Sequence, residues 1–153
     1  MKRYLVVLLA VIGLSSASAQ SDPFLGGAFN LEFVGGGTYV SLDAHYGDYG
    51  LFDSIGARGT VGLGLSPAIY LKLAGDVLIP FEVDSNEITP YAGAGFGLIT
   101  RGGTIFNIHG LGGAEFEVSD QIGLFGEISP ALYISGGTAF GVGLRFGANY
   151  HLD

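Results

Sequence analysis

From Phe24 to the end of the chain, apolar side chains recur at every second position, and the i, i+3, i+4 spacing of an amphipathic helix is hard to find. The last stretch is the clearest. Phe140, Val142, Leu144, Phe146, Ala148, Tyr150 and Leu152 alternate there with Gly141, Gly143, Arg145, Gly147, Asn149 and His151. Successive side chains of a strand point to opposite faces, so one face is apolar and the other small or polar. A first segment sets Phe29, Leu31 and Phe33 against Asn30 and Glu32, and a second sets Val40, Leu42, Ala44 and Tyr46 against Tyr39, Ser41, Asp43 and His45. In the third, Ile55, Ala57, Val61 and Leu63 oppose Ser54, Arg58 and Thr60; in the fourth, Ile69, Leu71, Leu73 and Val77 oppose Tyr70, Lys72 and Asp76. A fifth spans residues 90–100. A sixth spans 104–118 with Asn107, His109, Glu115 and Glu117 on its polar face, and a seventh spans 122–134 with Glu127 inward.

Turn-forming residues punctuate these segments at Gly35-Gly36-Gly37, Gly47-Asp48-Tyr49-Gly50, Ser66-Pro67, Arg101-Gly102-Gly103, Ser119-Asp120-Gln121 and Ser135-Gly136-Gly137. One long connection, residues 79–89, is expected. The segments are each close to the roughly 9–11 residues with which a tilted strand crosses a bilayer, and their number is even. The pattern therefore predicts an all-β fold: an eight-stranded antiparallel up-and-down transmembrane β-barrel.

Alternation alone leaves open which face is outside. A barrel bathed in water would carry Lys and Glu on its polar face. Here that face is mostly Gly, Ser, Thr and Asn with isolated charges, which suits a narrow lumen. Charged residues make up 13% of the chain, below the roughly 25–35% of a soluble surface. The lumen is expected to hold Glu32, Asp43, Arg58, Lys72, Glu115, Glu117, Glu127 and Arg145, paired with one another because an unpaired charge in a dry interior is costly. If the eighth segment closes on the first, Glu32, Glu127 and Arg145 are expected to meet about five residues from one rim. Aromatic residues near segment ends, with Phe24, Tyr46, Tyr91, Phe116 and Tyr150 at one rim and Tyr70, Phe106, Tyr133 and Phe140 at the other, suggest interfacial girdles. The 28 glycines ease curvature and make room for long lumen side chains.

The start of the chain differs in kind. Lys2 and Arg3 precede an apolar run from Tyr4 to Leu14, followed by Ala17-Ser18-Ala19. That order reads as a signal peptide over residues 1–19, with Ala17 and Ala19 framing the cleavage point and residues 20–153 forming the barrel. The chain has no Cys, so disulfides contribute nothing to its stability. Without Lys2 and Arg3, four basic residues (Arg58, Lys72, Arg101, Arg145) face fourteen acidic ones, a balance that disfavours nucleic acid as a partner.

The segment Ile88-Thr89-Pro90-Tyr91-Ala92-Gly93-Ala94-Gly95-Phe96-Gly97, followed by residues 110–121 and Gly126-Glu127, resembles small outer-membrane β-barrel proteins of the OmpA and OmpX type. The resemblance covers the mature chain and is most specific over residues 88–153. It implies a bacterial outer-membrane location, eight strands inserted from the periplasm and both termini periplasmic; that orientation puts the connections at 35–37, 64–68, 101–103 and 135–138 outside the cell, and in this sequence they are short where many relatives have long loops. It also implies outer-membrane lipid, periplasmic chaperones and the barrel-assembly machinery as partners of a monomer. Arg145, Gly147, Tyr150 and Leu152 resemble the family's C-terminal assembly signal, with Leu152 in place of an aromatic and Asp153 after it.

Catalytic chemistry finds little support. A hydrolase would draw on His45 or His109 with Ser41, Ser129 or Ser135, but no motif spacing joins them. The three histidines lack metal-ligand spacing, Glu82, Asp84 and Glu87 lack the calcium-loop pattern, and Gly93, Gly95 and Gly97 do not complete a dinucleotide fingerprint. No cofactor is expected. A structural or envelope-integrity role leads, ahead of a narrow pore or transport protein and of a soluble periplasmic lipocalin-like carrier of an apolar ligand.

Overall fold

The computed structural model describes residues 22–52, 54–81, 83 and 87–152. The leader read from the sequence, Ala17 and Ala19 included, lies outside the described residues. Eight strands follow one another: β1 (Pro23–Val34), β2 (Gly37–Phe52), β3 (Ile55–Ser66), β4 (Tyr70–Pro80), β5 (Ile88–Thr100), β6 (Thr104–Ser119), β7 (Ile122–Ile134) and β8 (Thr138–His151). Each pairs antiparallel with the next, and β1 pairs with β8, which closes the barrel. The seam runs through eleven register partners, from Phe24↔His151 to Val34↔Gly141.

Both described chain ends lie at one rim, called here the terminal end; the opposite rim is the turn end. At the turn end β1 and β2 join through Gly35 and Gly36, with φ of 55° and 84°. A two-residue hairpin of this hand needs positive φ at both central residues, a conformation that glycine adopts without steric cost.

The alternation resolves with the apolar face outward. Leu73 is 53% exposed while Arg58, on the adjacent strand's other face, is 5% exposed. Leu25, Phe29, Leu42, Val61, Ile108, Ile128, Leu132 and Phe146 join Leu73 on an apolar outer belt. A lipocalin-like carrier needs the reverse arrangement, because its apolar face must line the ligand cavity.

Two boundaries differ from those the sequence suggests. The glycines of Gly47-Asp48-Tyr49-Gly50 do not turn the chain: β2 continues through them to Phe52, with Gly47 opposite Phe24 and Arg58, and Asp48 opposite Pro23 and Ala57. The Phe24 ring lies against Gly47, where a Cβ would collide with it, so this glycine clears space in the lumen. A register shift between Asp48 and Phe52 then tucks Tyr49 inward. The long connection is also shorter than expected, since β4 runs to Pro80 and β5 begins at Ile88.

Large side chains line the lumen near each end. Phe24, Tyr49, Leu78, Tyr91 and Leu111 form an apolar cluster toward the terminal end, with the Phe24 and Tyr49 ring centroids 4.6 Å apart. Tyr70, Ile99, Ala131 and Tyr133 form a second toward the turn end, backed by Val34, Tyr39 and Ile105. The girdle expectation is corrected here. Phe116, Tyr150 and Phe140 do face outward, but Phe24, Tyr70, Tyr91 and Tyr133 are buried inside. For two of them the reason is polar: Tyr91 and Tyr133 use their hydroxyls on lumen carboxylates.

Candidate functional site

Between the two apolar clusters, strand parity brings Arg58, Asp76, His109, Glu127 and Arg145 into one layer, with two further groups of inward side chains on either side of it. Arg58 on β3 is its centre. Its Nε donates to Asp76 Oδ2 at 2.9 Å, and its two terminal nitrogens hold Glu127 in a fork, with Nη2 3.1 Å from Oε1 and Nη1 on Oε2. A planar guanidinium suits such two-pronged contact with a carboxylate. Tyr91 donates to the same Glu127 oxygen at 2.9 Å, and Arg145 stands 3.9 Å from the other. His109 Nε2 lies 2.8 Å from Asp76 Oδ1.

A second group lies toward the turn end. Lys72 reaches Asp43 Oδ2 at 2.8 Å and Glu32 Oε1 at 3.2 Å. Glu32 also accepts from Asn30 at 2.7 Å and from Tyr133 at 3.1 Å, while Ser41 donates to Asp43 at 2.9 Å. The groups meet loosely, where Arg145 Nε faces Asp43 Oδ2 at 3.6 Å; that carboxylate oxygen already has Lys72 beside it, and Arg145 Nε has no hydrogen-bond partner. A cavity of about 50 Å³ lies among these side chains, room for roughly one or two waters.

A third group descends to the terminal end with its proton positions fixed by chemistry. Arg145 can only donate, so His45 Nδ1 accepts from it at 2.9 Å. Nε2 of His45 then donates to Asn149 Oδ1 at 2.6 Å, which leaves the Asn149 amide to donate to Glu115. Glu115 also accepts from Tyr49 at 2.9 Å and contacts His151 Nε2 at 2.5 Å; His151 Nδ1 lies 2.9 Å from Asp22.

Of the eight charges expected in the lumen, Glu32, Asp43, Arg58, Lys72, Glu115, Glu127 and Arg145 are buried within it. Glu117 is not: it sits beyond the wall at the exposed end of β6, next to a register shift. Glu32 does not meet Glu127 and Arg145. It stands two residues from the turn-end limit of β1, level with Lys72 and Tyr133, because β1 runs upward from the terminal end. Asp76 and His109 were visible by parity but not as network members, and Tyr49, Tyr91 and Asn149 carried no signal beyond their position. Of the C-terminal residues, Arg145 is committed to the lumen and Gly147 lies under the Phe125 ring, while Tyr150 and Leu152 face outward.

His45 and His109 bond to Arg145, Asn149, Asn107 and Asp76, none of them a serine. Among the described residues no three His, Asp or Glu side chains form a group able to hold a metal.

The closed eight-stranded antiparallel barrel is a fold shared with solved bacterial surface and outer-membrane barrels and with a designed one. The comparisons agree. Neisserial surface protein A superposes with a TM-score of 0.66 at 13% identity, covering 88% of this chain and 99% of that one. A designed transmembrane β-barrel gives 0.65 at 15% identity, with 88% and 98% covered. The N-terminal β-barrel domain of Pseudomonas aeruginosa OprF gives 0.61 at 12% identity, with 86% and 100% covered. No protein family and no curated protein matches the sequence. These likenesses are of fold.

Proposed function

We propose that this protein is a bacterial outer-membrane β-barrel with a structural role in the cell envelope: a sealed monomer that spans the lipid, conducts no ions and catalyses no reaction. The observation that carries the reading is the pairing of an apolar outer belt with a lumen closed by buried ion pairs between two apolar clusters. Water offers nothing to such a belt, whereas lipid does. Eight strands leave an interior that side chains can fill, and here the space among the charges is only about 50 Å³, too little for a hydrated ion path.

On this reading the leader is removed after Ala19, both termini face the periplasm, and Tyr150 and Leu152 face the membrane as part of the signal read by the barrel-assembly machinery. Periplasmic chaperones carry the chain before insertion.

The test is expression of the precursor, fractionation of the envelope, and electrophoresis with and without boiling. Recovery in the outer membrane with a heat-dependent mobility shift supports the reading, and recovery in the periplasm with no shift overturns it. The purified protein in planar bilayers is expected to pass no steady current; a current that scales with protein would revive the pore.

A further inference from the structure

Above the ion-paired layer the barrel opens at its turn end into a bowl of about 440 Å³, within the range of roughly 300–1,000 Å³ typical of small-molecule sites. Its wall is apolar and aromatic: Val34, Ile99, Ile105 and the rings of Tyr39, Tyr70 and Tyr133. Its floor is Glu32, whose carboxylate is already engaged by Lys72, Asn30 and Tyr133 and so is not free to draw in a cation. The rim carries Arg101, exposed, with no carboxylate paired to it among the described residues. The turn-end connections are otherwise glycine, serine, proline and small or apolar residues, so Arg101 is their single charge.

An apolar cup under a lone cation selects a molecule with an apolar body and an anionic head. We propose that the bowl binds a medium-chain alkyl carboxylate, its tail among Ile99, Ile105 and the tyrosine rings and its head at Arg101. The occupant is a free fatty acid, and the test uses a probe that dissolves freely in water so that binding in the bowl is read apart from partition into the membrane. The proposal goes beyond the structural role above and rests only on the closed barrel.

The experiment titrates octanoate into the methyl-labelled protein in phosphatidylcholine nanodiscs and follows Ile99 and Ile105 by NMR, with the outward-facing Ile108 and Ile128 as reporters of the lipid. Saturable shifts confined to Ile99 and Ile105 are expected. Arg101→Gln should weaken binding about two- to fivefold, the weight of an exposed charge, and octylamine should bind more weakly than octanoate by at least as much. Ala139→Trp fills the bowl from β8 without removing a side-chain hydrogen bond, and should abolish the shifts while the heat-dependent mobility persists. Shifts that do not saturate and appear equally at Ile108 and Ile128 mean partition into lipid and overturn the proposal. So do equal affinities for octanoate and octylamine, or an unchanged response in Ala139→Trp. Heat modifiability and envelope fractionation read the membrane assignment separately, so the two can fail independently.

Discussion

Glu127 shows how tightly the lumen charges depend on one another. It takes both prongs of the Arg58 guanidinium and the Tyr91 hydroxyl, with Arg145 beside it. Glu127→Gln leaves two guanidinium groups short of charge in a space closed to bulk water, and breaking a buried pair from one side costs about 3–5 kcal/mol. Urea unfolding of the refolded protein in liposomes should show that loss, and an Arg58→Gln, Glu127→Gln double variant should recover part of it. Space matters as much as charge. A methyl group at Gly123 would run into the Glu115 carboxylate, whereas Gly112 has nothing within 4 Å of where a Cβ would stand. Gly123→Ala is therefore expected to cost about 1–3 kcal/mol by overpacking, and Gly112→Ala close to nothing, in the same assay. The inward identity of these residues could be read from period-two alternation, since parity alone decides the face. Their partners could not. Which side chains share a level depends on the stagger between strands, and that is why Glu32 pairs with Lys72 although sequence position suggested Arg145.

Strands and turns make their own demands. Val61 lies midway along β3 with its side chain outward, opposite Leu73 on β4. If the belt meets lipid, Val61→Arg should destabilise the barrel by about 2–4 kcal/mol, the depth-dependent cost of a cation near the midplane. In detergent micelles, where the side chain can reach water, the penalty should shrink. Gly36 presents a different constraint. Its φ of 84° lies in the left-handed region, so Gly36→Val should cost about 1–2 kcal/mol and slow hairpin formation, measured by refolding kinetics. Element count and order were legible because alternation and turn residues recur at regular intervals. The extent of β2 was not, for glycine serves two purposes. At Gly35 and Gly36 it permits a turn; at Gly47 it clears room for the Phe24 ring inside a continuing strand. Nothing local separates the two, because the ring that needs the room comes from the neighbouring strand.

At the scale of the whole molecule, charge and hydrophobicity are arranged as shells: an apolar exterior, a polar interior, and apolar clusters toward both ends of that interior. This inverts the usual globular order and was foreseeable from the low share of charged residues together with the composition of the polar face. The bowl at the turn end was not foreseeable, since Val34, Tyr70, Ile99 and Tyr133 lie far apart in the chain and meet only once the barrel is closed. Closure itself has a further consequence. The strand made first and the strand made last are bonded to each other along eleven register partners. Until β8 exists, every partial product carries two raw edges, so a chain ending at Gly137 should give no compact, heat-sensitive band. Once the seam has formed there is no loose edge from which to unravel, and in the lipid that the proposed function calls for, escape requires losing many hydrogen bonds together where no water can replace them. The lifetime of the finished barrel is then governed by a barrier rather than by its net stability, and it should outlast by far what its equilibrium free energy alone would suggest.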